Sequence, residues 1–164
     1  MKKIAIISDS HSYLDKSAIN HIKKCDEVWH AGDIGNIKII DDLQKIIKLR
    51  AVYGNIDGTE IRKIYPENLF FNCEGINVLM THIGGRPEKY NKRVRNLLVT
   101  EKPDIFICGH SHILIVKKDN KFNLLHINPG AIGKEGFHKF RTMILLEIEN
   151  KLILERDNIL DSIN

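Results

Sequence analysis

A chain of 164 residues with 43% hydrophobic side chains can bury one sizeable core and is short for two complete ones. Its 28% charged residues are interrupted by apolar runs, which excludes a disordered chain. A net charge of +4 is far from the dense Lys/Arg stripe of a dedicated nucleic-acid binder, and it suits an anionic substrate. Cys25, Cys73 and Cys108 follow neither a paired zinc spacing nor a secreted disulfide framework. Met1-Lys2-Lys3 runs into an apolar stretch too brief for a signal peptide or a membrane span, so a cytoplasmic protein is expected.

With no internal repeat, low-complexity tract or linker, the chain is expected to form one domain over residues 1–164. Ile4 to Ile7 reads as a buried strand, and Ser12-x-x-Asp15 behind it resembles a capping box opening a helix through about Lys23. Glu27 to His30 is a second strand, Gly32 to Asn36 a loop, and Ile37, Ile40, Leu43 and Ile47 the apolar stripe of a helix. Leu49 to Tyr53 gives a third strand, ending in the loop Gly54-Asn55-Ile56-Asp57 with a short helix after it.

Beyond Asn68, apolar segments at 69–73, 76–81, 104–108, 112–117, 123–127 and 142–149 predict strands. One helix interrupts them, expected to begin near Pro87 and to bury Val94, Leu97 and Leu98. Alternating βα units followed by a strand-rich half imply a mixed α/β core with two packed sheets.

The polar residues are placed unusually. Asp9, His11, Asp33, Asn55, His82, His110 and His112 each fall just after a predicted strand, the edge at which open α/β sheets bind ligands. Carboxylate, imidazole and amide oxygen without thiolate form a mixed N/O donor set, which suits Mn²⁺, Fe, Zn²⁺ or Ni²⁺ better than Ca²⁺ or Mg²⁺.

Asp9-x-His11, Gly32-Asp33-x-Gly35, Gly54-Asn55-x-Asp57, His82 followed by Gly84, and Gly109-His110-Ser111-His112 together resemble the calcineurin-like metallophosphoesterase family. The resemblance runs over about residues 1–133 and includes Asn128-Pro129-Gly130. It implies a four-layer α/β/β/α sandwich of two mixed sheets, with two divalent transition-metal ions at the strand ends, Mn²⁺ first among them. By the same resemblance Asp9, His11, Asp33 and His112 hold one ion, and Asp33, Asn55, His82 and His110 the other, with Asp33 bridging. Two such ions can share a hydroxide as nucleophile and clamp the phosphoryl oxygens in an in-line displacement.

Many relatives have a histidine directly after the asparagine of the third block, where this chain has Ile56. That departure resembles a small cap-less bacterial and archaeal subgroup associated with phosphodiester hydrolysis more than with monoester cleavage. A small phosphate-ester substrate is expected, with Asn55 and Arg86 as candidate substrate contacts; nucleic acid is disfavoured and a homo-oligomer is compatible. The alternative is a non-catalytic protein-interaction scaffold of the same fold, as in the retromer subunit.

The other candidates read blandly. His21, His126 and His138 are expected to be solvated or interior histidines, and His30 either an interior histidine or a support to a ligand. Asp57 with Glu60 reads as a helix cap. The basic run on the helix after His82 (Lys89, Lys92, Arg93, Arg95) reads as a solvated face, and Cys108 as a small buried side chain.

Overall fold

The computed structural model describes residues 1–149 and 152–162, with side chains through residue 149 and at Ile153. Its elements are β1 (Lys2–Ile7), α1 (Lys16–Ile22), β2 (Glu27–His30), α2 (Ile37–Gln44), β3 (Lys48–Ala51), α3 (Thr59–Ile64), β4 (Asn68–Cys73), β5 (Ile76–Thr81), α4 (Lys92–Glu101), β6 (Ile105–Ile107), β7 (Leu114–Asp119), β8 (Leu124–Pro129), β9 (Phe140–Glu149) and β10 (Leu152–Ser162). Two five-stranded sheets result, ordered β10-β9-β1-β2-β3 and β4-β5-β6-β8-β7. Both are mixed: β1, β2 and β3 run parallel, as do β5, β6 and β8, while β9 and β10 at one edge and β4 and β7 in the other sheet are antiparallel.

Strand alternation sorts the apolar residues into layers. Ile4, Ile6 and Trp29 of the first sheet meet Val78, Met80, Ile105 and Ile107 of the second to form the central core. On the outer side of the first sheet Ala5, Ile7 and Val28 pack against Ala18 and Ile22 of α1, Ile40 and Leu43 of α2 and Ile61 of α3. Leu79 and Phe106 face outward from the second sheet onto Val94 and Leu98 of α4. This is the expected α/β/β/α sandwich. Among the described residues no helix is long and apolar enough to cross a membrane.

Two boundaries differ from expectation for local reasons, and one strand was not expected. Helix α1 starts after Asp15, whose Oδ1 accepts from Ala18 N at 2.9 Å, so Asp15 is the N-cap itself rather than the third residue of a box opened by Ser12. Helix α4 starts at Lys92 rather than near Pro87: Asn91 caps it by accepting from Val94 N, while Tyr90 turns inward against Phe106. Strand β10 has no clean alternation, with Glu155, Arg156, Asp157 and Asn158 in succession, yet pairs antiparallel along β9.

At the N-terminal end of β2 the buried Glu27 accepts from Arg50 Nε at 2.8 Å and Trp29 Nε1 at 2.9 Å and pairs with Lys2 and Lys48. Burial opposes its charge, and these partners outweigh it, holding the carboxyl well below the usual range. The opposite, C-terminal strand ends carry the polar residues singled out by the sequence.

Candidate metal centre

The loops after β1 and β2 lie side by side: Asp9 N, His11 N and Ser12 N donate to the carbonyls of Gly32, Asp33 and Ile34 at 2.9–3.0 Å. Gly133 N in turn donates to Asp9 O, and Gly109 N to His82 O. This lattice holds five side chains at positive φ, Asp9 at 54°, His11 at 43°, Asp33 at 54°, His110 at 68° and His112 at 58°. Asp and His tolerate that region better than most residues, but it is sparsely populated, and such strain concentrates where function fixes the backbone.

Two clusters form. The ligand atoms of Asp9, His11 and His112 lie within 4.8 Å of one another, and so do those of Asp33, His82 and His110. Each aspartate is tethered by one oxygen and presents the other. Asp9 Oδ2 accepts from His110 N at 3.0 Å, leaving Oδ1 at 3.1 Å from His112 Nε2 and 3.8 Å from both His11 Nε2 and His82 Nε2. Asp33 Oδ1 accepts from Ile56 N at 3.0 Å, leaving Oδ2 at 3.1 Å from His82 Nε2 and 3.6 Å from His11 Nε2. One oxygen of Asp33 therefore stands between a histidine of each cluster.

Gly54 makes this approach possible, because a Cβ there would stand 2.0 Å from Asp33 Oδ1. The exposed Asn55 beside it lines a cavity of about 210 Å³ together with His82, Arg62 and Arg93. Arg86 lines a second cavity, of about 360 Å³, with His110, Ile83, Lys89 and Ile113.

The donor set fits divalent metal. Asp9 Oδ1, His11 Nε2 and His82 Nε2 are buried and have no hydrogen-bond partner among the described residues, an arrangement that costs free energy unless a cation takes the lone pairs. His82 Nδ1 lies 2.7 Å from Ala31 O, and since a carbonyl only accepts, the ring proton resides on Nδ1 and Nε2 keeps its lone pair for a ligand. The nearby carboxylate of Asp9, then the charge of Asp33, raise His11 above its ordinary value against the effect of burial. Burial would lower His82, but Asp33 and Asp9 outweigh it and raise that group too. Burial likewise opposes the charge on Asp9 and Asp33, and the surrounding imidazoles keep both carboxyls low, hence ionised.

Several residues have roles other than those read from the sequence. Asp57 does not cap α3, whose N-cap is Gly58; its buried carboxylate accepts from Ile34 N, Gly35 N and Gly54 N at 3.1, 2.8 and 2.7 Å and clasps the second and third motif loops together. Of the two roles read for His30, the structure shows the interior one: Gly32 N donates to its Nδ1 at 3.2 Å, and burial pushes it down to about 4, a neutral ring. Arg93 is half-buried, not a free solvated charge; it donates to Ile83 O and to the side chains of Thr81 and Asn68. His138 sits against His112, with their Nδ1 atoms 3.1 Å apart. Its position in a loop of no recognisable motif offered no signal. His126 and Cys108 are interior, as read from the sequence.

A two-sheet α/β/β/α sandwich with carboxylate–imidazole clusters at the C-terminal strand ends defines the class as metallophosphoesterase-like. The chain belongs to the calcineurin-like phosphoesterase superfamily, whose domain it matches over residues 1–151. A probable metallophosphoesterase of Methanocaldococcus jannaschii is 29% identical over 154 residues, covering 91% of this chain and 77% of that one. The solved structure of an archaeal phosphodiesterase superposes with a TM-score of 0.74 at 22% identity, covering 95% of this chain and 99% of that one. Wild-type Vps29 of Entamoeba histolytica in complex with Zn²⁺ superposes with a TM-score of 0.73 at 15% identity, covering 97% and 99%. These two likenesses establish the fold.

Proposed function

We propose that this chain is a single-domain, metal-dependent phosphodiesterase with a dinuclear centre, Asp9, His11, Asp33 and His112 holding one ion and Asp33, Asn55, His82 and His110 the other. The observation that carries the reading is Asp33 Oδ2, placed between His11 of one cluster and His82 of the other. Divalent metal held there, Mn²⁺ foremost and Ni²⁺, Fe or Zn²⁺ as alternatives, would supply an activated water for in-line attack on phosphorus and positive charge for the phosphoryl oxygens.

The chain's own contribution is placement. Asp9 and Asp33 offset part of the metal charge and leave a positive remainder that favours an anionic ester. Their tethers to His110 N and Ile56 N fix where the free oxygens point. Arg86 and Asn55, on the walls of the two flanking cavities, are the groups we assign to the phosphate and its substituents. Ile56 carries no proton to give a leaving group, which favours esters whose leaving group departs unaided. The archaeal phosphodiesterase among the structural neighbours is consistent with this preference.

A second reading, a protein-interaction scaffold, draws on the exposed apolar side chains Ile56, Ile83, Ile113 and Phe137, each adjacent in sequence to a site residue or to His138. A turnover panel of phosphodiesters, cyclic nucleotides and phosphomonoesters with Mn²⁺, Ni²⁺, Mg²⁺ and no metal decides between them. The expected result is metal-dependent hydrolysis, faster for aryl diesters than for alkyl monoesters. Full turnover without metal overturns the mechanism, preference for alkyl monoesters overturns the diesterase assignment, and no turnover with any metal favours the scaffold.

A further inference from the structure

A ring nitrogen that gives its lone pair to a cation leaves the proton of a neutral imidazole on the other nitrogen, and that N–H needs an acceptor. His82 finds one in the Ala31 carbonyl. For His112 the nitrogen facing Asp9 is Nε2, at 3.1 Å, so the proton belongs on Nδ1. Among the described residues no backbone carbonyl receives it. What lies at 3.1 Å is Nδ1 of His138.

Whether that nitrogen accepts depends on where His138 keeps its own proton. His138 Nε2 lies 2.9 Å from Gly133 O. A carbonyl only accepts, so the proton of neutral His138 stays on Nε2 and its Nδ1 lone pair is directed at His112. We propose that His138 is a positioning residue for the metal centre: it accepts from His112 Nδ1–H and so fixes the ring orientation and tautomer in which His112 Nε2 is a metal donor. The chain of contacts runs from His112 Nδ1–H to His138 Nδ1, and from His138 Nε2–H to Gly133 O.

The loop between β8 and β9 is built around this pair. Gly136, at φ +119°, lies so close that a Cβ would stand 2.4 Å from His112 Nδ1 and 3.3 Å from His138 Nδ1. The two rings meet edge to face, with centroids 4.9 Å apart. Gly133, which receives the far end of the chain of contacts, also donates its N–H to Asp9 O, so the loop that orients His112 is tied to the loop carrying its neighbouring carboxylate.

The proposal rests on His112 being a ligand, and the test separates the two claims. Zn²⁺ affinity is measured by competition with a chelator for the wild type and for His138→Ala, His138→Asn, Gly136→Ala and His112→Ala. Imidazole ¹⁵N spectra are recorded on the Zn²⁺-loaded wild type. Loss of an outer partner of this kind typically costs about 10- to 100-fold in metal affinity. We expect that loss in His138→Ala and Gly136→Ala, recovery in His138→Asn, whose amide oxygen restores an acceptor, and a scalar coupling between the two Nδ1 nuclei across the hydrogen bond. Wild-type affinity in folded His138→Ala, or a proton on Nδ1 of His138 in the Zn²⁺ form, overturns the proposal. Undiminished affinity in His112→Ala overturns instead the ligand assignment beneath it. If His138→Ala fails to fold, Gly136→Ala, which leaves both imidazoles intact, carries the affinity test alone.

Discussion

His30 donates from Nε2 to Ser10 Oγ across 2.9 Å, and Ser10, between Asp9 and His11, passes its own hydroxyl proton to Ile34 O at 3.0 Å. With Gly32 N donating to His30 Nδ1, a single buried imidazole ties the loop carrying the first aspartate to the loop carrying the second.

Replacing His30 by Leu keeps the volume and leaves Gly32 N and Ser10 Oγ without that partner. The expected cost is about 2 kcal/mol or more in urea unfolding of the metal-free protein. Binding of Mn²⁺, followed by titration calorimetry, should weaken at both clusters together, because both loops lose the same brace. A normal isotherm in a destabilised variant would show that the backbone bonds between the loops suffice.

Asp33→Asn and Asp57→Asn should fail differently. Asp33→Asn removes charge from the oxygen between the clusters, and at saturating Mn²⁺ it should cost on the order of 100-fold or more in kcat, since misplacement of about 1 Å can have that effect. Asp57→Asn turns an amide N–H₂ toward backbone donors that a carboxylate accepts, and should cost about 3 kcal/mol of stability, more than a helix cap would, with turnover largely restored by excess metal. A dead, stable Asp57→Asn would mean that Asp57 takes part in the chemistry.

Metal removal should be visible in stability as well as rate. We expect about two ions per chain by elemental analysis, loss of turnover with EDTA, and restoration by Mn²⁺ or Ni²⁺. At metal concentrations of about 100 times Kd the native state should gain about 3 kcal/mol per ion, read as a rise in Tm. An unchanged Tm would contradict a centre assembled only in the folded chain.

His126, fully buried beside Tyr90, is pushed down by burial from 6.5 to about 4. Its folded value is depressed, so as pH falls through 6.5 the unfolded chain takes up a proton that the native chain refuses. Stability from this group is full above pH 6.5 and falls as the pH drops toward 4, by about 3 kcal/mol at most. His126→Gln should flatten the stability–pH curve in that window. Identical slopes for variant and wild type would refute the assignment of a neutral buried ring.

The fold was legible where period and position agreed. Ile4, Ile6, Val78 and Met80 alternate as inner faces should, and the clustering of Asp9, Asp33, His82 and His110 at strand ends followed from the strand assignments alone. What escaped were contacts made across the chain. Asp57 looked like a cap because Glu60 follows it at capping distance, and its three donors come from residues 34, 35 and 54. His138 had no motif around it, and its partner is 26 positions away. Strand β10 hid because its consecutive charged residues, Glu155 to Asp157, break the alternation by which a strand is read, and an edge strand tolerates such charges.

Each cluster draws on both sheets: Asp9 and His11 follow β1 and face His112 from beyond β6, while Asp33 follows β2 and faces His82 and His110 from beyond β5 and β6. Ions bound there would act as rivets between the two layers at one end of the sandwich. At the other end the protein joins the layers itself, since Arg50 and Trp29, both held by Glu27, pack on Phe71 of β4 at 4.5 and 4.9 Å. Stripped of metal, the molecule should therefore open like a book from the ligand end, and backbone amides of residues 8–12 and 109–112 should exchange with solvent before those around Glu27.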